Sequence, residues 1–172
     1  DAIQIKLRVE VKDTDIYIDF DGTSPQVDWG GNVVYNFTYA YVFMAVKSVF
    51  DPDLPINEGA IRPVAMTAPE GSVVNCRFPA AVAARMQVGH FMTEMVFRAL
   101  STATPDRIMS DSGGTPAQTN IFYGKRHDGK PFHTMIIRGG GLGASHARDG
   151  HQCAIFPANG ANTPVEILES DT

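Results

Sequence analysis

The sequence predicts an α+β fold in which strands and helices are segregated rather than strictly alternating. Three observations predict it. At the start, Ile3, Ile5, Leu7, Val9 and Val11 alternate with Gln4, Lys6, Arg8 and Glu10, the period of two of a half-buried strand. Two stretches, about 33–50 and 88–103, carry apolar residues at helical spacing. After Asp111, short apolar runs at 120–123, 132–138, 152–156 and 165–168 stand between glycines. The expectation is a mostly antiparallel sheet with two main helices.

In chain order, residues 12–15 (KDTD) have turn chemistry, and Ile16, Ile18 and Phe20 resume the alternation. Residues 3–20 therefore read as a hairpin, and the DGTSP of 21–25 breaks the sheet. Asn32 is placed to cap the first helix, whose stripe is Val34, Phe37, Tyr41, Met44 or Ala45, and Ser48 or Val49. Asp51 before Pro52 stops it. Its small and aromatic residues run nearly all round, as in a helix covered on most sides. Pro52, Pro55, Pro63 and Pro69 punctuate the next segment, which has room for two short strands at 61–66 and 73–76. The second helix shows the stripe Met92, Met95 or Val96, Ala99 and Ala103, and ends at Thr104 and Pro105. His127, Asp128, Gly129 and Lys130 form a turn, making a second hairpin. No internal repeat or low-complexity tract interrupts this layout.

The 172 residues suit one domain or a fragment of a longer polypeptide. A chain of this length buries about 70% of its unfolded surface, enough for a core without staples. Lys plus Arg is 14 against 19 for Asp plus Glu, a net charge of -5. No basic run breaks that balance, which argues against a nucleic-acid groove. Charged residues are 19%, below the roughly 25% usual for soluble chains, as expected if part of the surface is covered. Cys76 and Cys153 are too few for a disulfide scaffold and lack C-x-x-C spacing, so a reducing, cytoplasmic setting is expected. The longest apolar run, 39–46, falls far short of the ~20 residues of a membrane helix. The chain opens directly on a strand pattern and stops just after another, whereas termini usually trail off in polar residues. A piece of a longer polypeptide is therefore expected.

The stretch with most chemical promise is RGGGLGA at 138–144, followed by His146, Arg148, Asp149, Gly150 and His151. Glycines after a strand let backbone approach a ligand, and successive N–H groups can form an anion nest. The string is neither a Walker A loop nor a dinucleotide fingerprint. The competing reading is a turn packed tightly against a neighbour, since glycine clusters are common in turns. His146, Asp149 and His151 have donor types suited to zinc or manganese. A loop gives that spacing no fixed geometry, so no metal ligand is assigned in this chain. Neither cysteine has a histidine partner in sequence, and each reads as a small buried hydrophobe. Ser72 and Ser112 lie near glycines but outside a G-x-S-x-G elbow. Arg85, between alanine-rich runs, is suited either to bind an anion or to bridge carboxylates. The methionines of the second helix read as core.

Several ordered strings carry a family resemblance. FDGTSPQ at 20–26, DPDLPINEG at 51–59 leading into Arg62 and Pro63, and APEGS at 68–72 with Val74 and Asn75 come first. RFPAAVAAR at 77–85, GGGLG at 139–143 with RDG at 148–150, and NTPVE at 162–166 complete them. Together they resemble the central-to-late portion of the hydantoinase B / 5-oxoprolinase family, related to N-methylhydantoinase, caprolactamase and the acetone and acetophenone carboxylase subunits.

The resemblance implies part of a larger B-type subunit or region that works with a hydantoinase A-like ATPase. It implies ATP-dependent opening of cyclic amides, with ATP-dependent carboxylation of ketones as the alternative, or a subunit-association piece without active-site residues of its own. ATP, Mg and a divalent metal (Zn or Mn) are then held outside this segment, and the isolated chain is expected neither to bind nor to turn over ATP. The residues singled out are Arg138 and Asp149 as catalytic groups, with Arg85, Gly139, Gly140 and Gly141 binding substrate. Of the His146, Asp149 and His151 set, only Asp149 matches the family's recurring DG element. QCAIFP at 152–157 stands where many members have a THMTNT-like string, so the substrate is left open.

Overall fold

The computed structural model describes residues 2–113, 117–152, 154–156 and 160–161, and the chain divides into two units, Asp1–Ile108 and Met109–Thr172. In the first, β1 (Arg8–Lys12) and β2 (Asp15–Asp19) form the expected antiparallel hairpin, registered from Arg8 opposite Asp19 to Lys12 opposite Asp15. Asp13 takes the left-handed conformation of the turn (φ 51°), which a short polar side chain tolerates. Strand structure starts at Arg8 rather than Ile3. The segment before it is tied to the following loop by side chains. Gln4 N–H donates to Ser24 Oγ (2.9 Å), Ser24 N–H to the Gln4 carbonyl (2.8 Å), and Thr23 Oγ1 both accepts from Lys6 N–H (3.1 Å) and donates to its carbonyl (3.2 Å).

β3 (Val64–Thr67) lies beside β2 in parallel, Ile16 opposite Val64 and Asp19 opposite Thr67. The α+β, mostly antiparallel expectation holds in the β1–β2 pairing and in the two strand pairings of the second unit, while β2–β3 is parallel, which makes this sheet mixed in the order β1-β2-β3. The reason is connectivity: α1 (Tyr35–Phe50) intervenes between β2 and β3, and a crossover returns the chain in the same direction. A single turn, α2 (Glu58–Ile61), is capped by Asn57, whose Oδ1 accepts from Ala60 N–H (3.1 Å). Residues 73–76 form no strand but part of a bridged turn in which Ser72 faces both Pro25 and Asn75.

The second predicted helix is two pieces, α3 (Met86–Gly89) and α4 (Phe91–Leu100), meeting at His90. Gly89 sits at the break. A Cβ there would lie 2.3 Å from Phe37 Cε1, so α1 comes in where only glycine fits. The core of this unit joins Ile18 and Met66 of the sheet to Val42, Ala45, Val46 and Val49 of α1 and Met92, Val96 and Leu100 of α4, all buried. Lys47 closes α1 by donating to the Pro52 carbonyl (2.6 Å), a cation on the helix's negative end.

Asn32 does not cap α1. Val34 is the N-cap and makes no side-chain cap bond. Asn32 is fully buried, and its amide donates to the carbonyls of Val27 (2.8 Å), Trp29 (3.0 Å) and Ala81 (2.9 Å) while Oδ1 accepts from Val27 N–H (2.7 Å). Peptide groups turned inward toward this buried side chain need partners, and here an amide side chain supplies both kinds at once.

In the second unit, β4 (Ala117–Lys125) and β5 (Pro131–Gly139) form the predicted second hairpin, longer at each end than its apolar runs. Its turn is closed by Arg126 N–H on the Lys130 carbonyl (2.7 Å), with Gly129 at φ 82°. β6 (Ala154–Ile155) and β7 (Gly160–Ala161) make a short antiparallel pair. The expected strand at 165–168, the NTPVE string and Cys153 lie outside the described residues. No helix among the described residues is long and apolar enough to cross a membrane.

Three outcomes follow from this packing. Asn32→Ala removes the amide partner of the Val27, Trp29 and Ala81 carbonyls and of Val27 N–H, and should cost about 3 kcal/mol in urea unfolding. Gly150→Ala would set a methyl 1.8 Å from the Leu142 carbonyl oxygen, whereas Gly129 has open space. The first should cost about 2 kcal/mol or more and the second about 1 kcal/mol, read as lost hydrogen-exchange protection in β4 and β5. Glu70 and Arg77 form a forked ion pair at 2.9 and 3.0 Å. The hydrogen bond and then the charge of Arg77 hold the Glu70 carboxyl below its ordinary value. A lowered carboxylate favours the fold above its unfolded pKa, and that help is lost as pH falls through the folded value. Arg77→Gln should return Glu70 to the ordinary range in a carbon-13 titration and remove this part of the acid sensitivity.

Candidate functional site

Strings far apart in the sequence fold onto one another in the first unit. Gln26 N–H donates to the Gly71 carbonyl (2.8 Å) and Val73 N–H to that of Ser24 (3.0 Å), joining the GTSPQ and APEGS segments. Arg77 N–H reaches Gln26 Oε1 (2.8 Å) and Ala84 N–H the Gly30 carbonyl (2.8 Å), adding the PAAVAAR segment. Asn75 Nδ2 donates to the Ala68 carbonyl (2.9 Å). Gly30 is required by this approach, since a Cβ would lie 3.0 Å from Ala84 N. The signal for this convergence was present in the sequence as glycines, asparagines and prolines in three separate strings, but which string meets which was not.

The chemistry of this knot is modest. Ser72 Oγ is buried with no hydrogen-bond partner among the described residues, so no general base among them is bonded to it. Burial pushes the Cys76 thiol up, which keeps it protonated at neutral pH and away from nucleophilic duty. An apolar hollow of about 380 Å3 opens elsewhere in this unit, lined by Val11, Ile16, Phe43, Val46, Phe50 and Leu54 among others. None of the candidate residues lines it.

Arg85 emerges from the PAAVAAR string at the start of α3. Its guanidinium lies 5.6 Å from the centroid of the Phe37 ring, within cation–π range. Phe37 packs on Tyr41 (4.7 Å between centroids), and Tyr41 on His90 (5.5 Å). Burial raises the Tyr41 phenol above its ordinary value, while the Arg85 charge pulls the other way. Phe37, absent from the sequence-based site, lies beside Arg85 where Gly89 leaves room for its ring, and Tyr41 packs on Phe37.

The other candidates lie in the second unit. Arg138 is exposed near the end of β5, opposite Gln118. Asp149 is exposed, and no ion pair joins it to Arg138 among the described residues. Gly141 is buried at φ 92°, a conformation that calls for glycine. Its N–H donates to the Ala154 carbonyl (3.2 Å), and that of Leu142 to the His151 carbonyl (2.8 Å). Those two N–H groups are therefore engaged within the fold. Gly113 and Gly143 are also held by backbone contact: a Cβ at either would lie 2.5 Å or less from a carbonyl oxygen. Close packing thus accounts for part of the glycine richness. His146, Asp149 and His151 are not gathered into a ligand set: among the described residues no three His, Cys, Asp or Glu side chains stand together as a metal would need.

Comparison with known proteins follows the same lines. A protein of Methanocaldococcus jannaschii of uncharacterised function is 36% identical over 171 residues, covering 98% of this chain and 29% of that one. The fold matches an ATP-dependent caprolactamase from Pseudomonas jessenii with a TM-score of 0.80 at 24% identity, over 97% of this chain and 30% of the other. It also matches a nucleotide-free acetone carboxylase with a TM-score of 0.78 at 17% identity, over 98% of this chain and 23% of the other. This chain therefore spans under a third of each of these relatives. The family described as hydantoinase B/oxoprolinase matches residues 1–172, and the chain belongs to that family.

Proposed function

We propose that this chain is part of an ATP-dependent cyclic-amide hydrolase of the hydantoinase or 5-oxoprolinase type. The observation that carries the reading is family membership along the whole chain. In this reading a hydantoinase A-like ATPase subunit or region, in a cytoplasmic setting, uses ATP and Mg to phosphorylate the amide oxygen of the ring. Phosphorylation turns a poor electrophile into a good one and needs a nucleotide site, which the partner supplies. A divalent metal, zinc or manganese, belongs to the larger enzyme outside this segment, and no step is routed through it here.

The residues of this chain then act on the activated carbon. Asp149 takes a proton from water as it adds, and returns it to the ring nitrogen as the C–N bond of the tetrahedral adduct breaks. A second water hydrolyses the resulting acyl phosphate to the ring-opened acid and inorganic phosphate. Arg138, with exposed backbone at Gly140 beside it, balances negative charge on the phosphorylated centre. A guanidinium fork suits that task.

The test uses the longer polypeptide containing this chain together with its ATPase partner. ATP-dependent ring opening of 5-oxoproline, hydantoin or caprolactam is expected. Carboxylation of acetone by bicarbonate without any ring opening would overturn the reading. Arg138→Ala and Gly140→Ala should each lower kcat/KM by roughly tenfold or more, about 1.4 kcal/mol, with melting unchanged. Normal turnover in both variants, or losses that only track stability, would remove the loop from the site.

A further inference from the structure

The inner face of the first sheet carries two apolar rows, and the helices cover them unequally. In one row Val9, Ile18 and Met66 stand opposite one another across β1, β2 and β3, and Ile18 and Met66 are buried. In the next, two residues along each strand and so on the same face, Val11 faces Ile16 and Ile16 faces Val64. Val64 is buried, Ile16 half-buried and Val11 57% exposed, so cover fades toward the β1 edge. The hollow of about 380 Å3 is lined by all three residues of this second row and, from α1, by Phe43, Val46 and Phe50.

The loop after α1 closes the hollow only in part. Residues 51–59, the DPDLPINEG string that no step of the proposed reaction uses, supply Asp51, Leu54 and Gly59 to its wall. Phe50 and Leu54 remain 40% and 39% exposed. Asp13 and Asp51 are exposed acidic residues of the lining, and neither has an ion pair among the described residues. The adjoining lysines are engaged elsewhere, Lys12 with Glu10 (3.1 Å) and Lys47 with the Pro52 carbonyl (2.6 Å). Among the described residues, no buried polar side-chain atom lacking a partner lines the hollow. It therefore suits apolar side chains, with room for more than one, better than a ligand held by hydrogen bonds.

This chain spans under a third of each relative compared above, so in a polypeptide of that length most residues lie outside this segment. A second copy docked through the same face would set carboxylates against carboxylates, since a two-fold contact repeats one surface. We propose that the hollow is the seat of an apolar segment from the remaining part of the same B-type polypeptide, with a lysine or arginine beside its apolar residues to pair with Asp13 and Asp51. That segment takes Val11, Phe50 and Leu54 out of water and completes the core over the second row. The inference rests on family membership and not on the ring-opening reading.

The experiment replaces Leu54 by the photo-reactive p-benzoylphenylalanine in the longer polypeptide, with its ATPase partner present, and maps the cross-links by mass spectrometry. Links to the same polypeptide outside residues 1–172 are expected, at apolar residues next to a lysine or arginine. Links to the ATPase, to a second copy distinguished by isotope labelling, or to residues 109–172 would overturn the proposal, as would no link at all. Val11→Asp should lower the yield at least tenfold while Val11→Ile keeps it. Phe50→Ser on the opposite wall is the second variant and should act like Val11→Asp, so that the result does not hang on one strand residue. Asp13→Asn combined with Asp51→Asn keeps the oxygen that accepts from Leu54 N–H (3.2 Å). It should lower the yield severalfold at low salt and remove its salt dependence. A yield that neither Val11→Asp nor Phe50→Ser moves, or that is indifferent to salt in the unaltered protein, would overturn the proposal. None of these readouts needs turnover, so failure of the ring-opening assay leaves them standing.

Discussion

The buried amide of Asn32 is the constraint on which the rest of the first unit depends. It bonds to Val27, Trp29 and Ala81, and so decides how the loop after β2 lies on the alanine-rich segment before α3. No apolar residue could do this. Peptide groups taken out of water without partners cost more than a hydrophobic side chain of the same size returns. Once the loop is fixed, Val33 N–H meets the Val73 carbonyl (2.8 Å) and Cys76 N–H the Val33 carbonyl (3.1 Å). Those contacts bury Val33, Val73 and Val74 and set the direction in which α1 leaves.

Glycine in the second unit has a different meaning from the one its sequence invites. A run of glycines beside an arginine suggests backbone opened toward a ligand. At Gly113, Gly143 and Gly150 the close neighbour is instead another stretch of main chain, and the N–H groups of Gly141 and Leu142 are already donors to carbonyls. The chemical role proposed for this loop therefore falls mainly on the Arg138 side chain, which is exposed, and less on an anion nest. Packed main chain beneath it would hold β5 still, and a fixed strand is a better base for a charge-balancing group than a free loop.

Local regularities were legible, and irregular long-range ones were not. Alternation gave the β1–β2 hairpin, apolar runs about a glycine turn gave β4–β5, and helical spacing with a proline stop gave α1 to within two residues of its observed start. The parallel placement of β3 depends on the whole crossover, which no window of a few residues contains. Asn32 looked like a cap because asparagine before an apolar helix usually is one; the demand that outweighed this was made by Ala81, 49 residues away. The helix expected at 88–103 had a continuous stripe, but the stripe says nothing of what leans on Gly89. Of the site residues, Arg85 could be picked out from its string, while Tyr41 and Phe37 read simply as part of a buried stripe.

That last pair shows why a glycine in a helix and the Arg85 platform coincide. An alanine at 89 would favour the helix, since glycine is the poorer helix former by about 1 kcal/mol. The same alanine would push Phe37 away, because its methyl would overlap Cε1. With Phe37 displaced, the Arg85 guanidinium would lose the ring beneath it and Tyr41 its packing neighbour. The local sacrifice of helix stability at Gly89 is thus what permits an arginine and a phenol to stand together over apolar rings. A position that departs from its own local preference where donors converge is where a site is most reasonably sought.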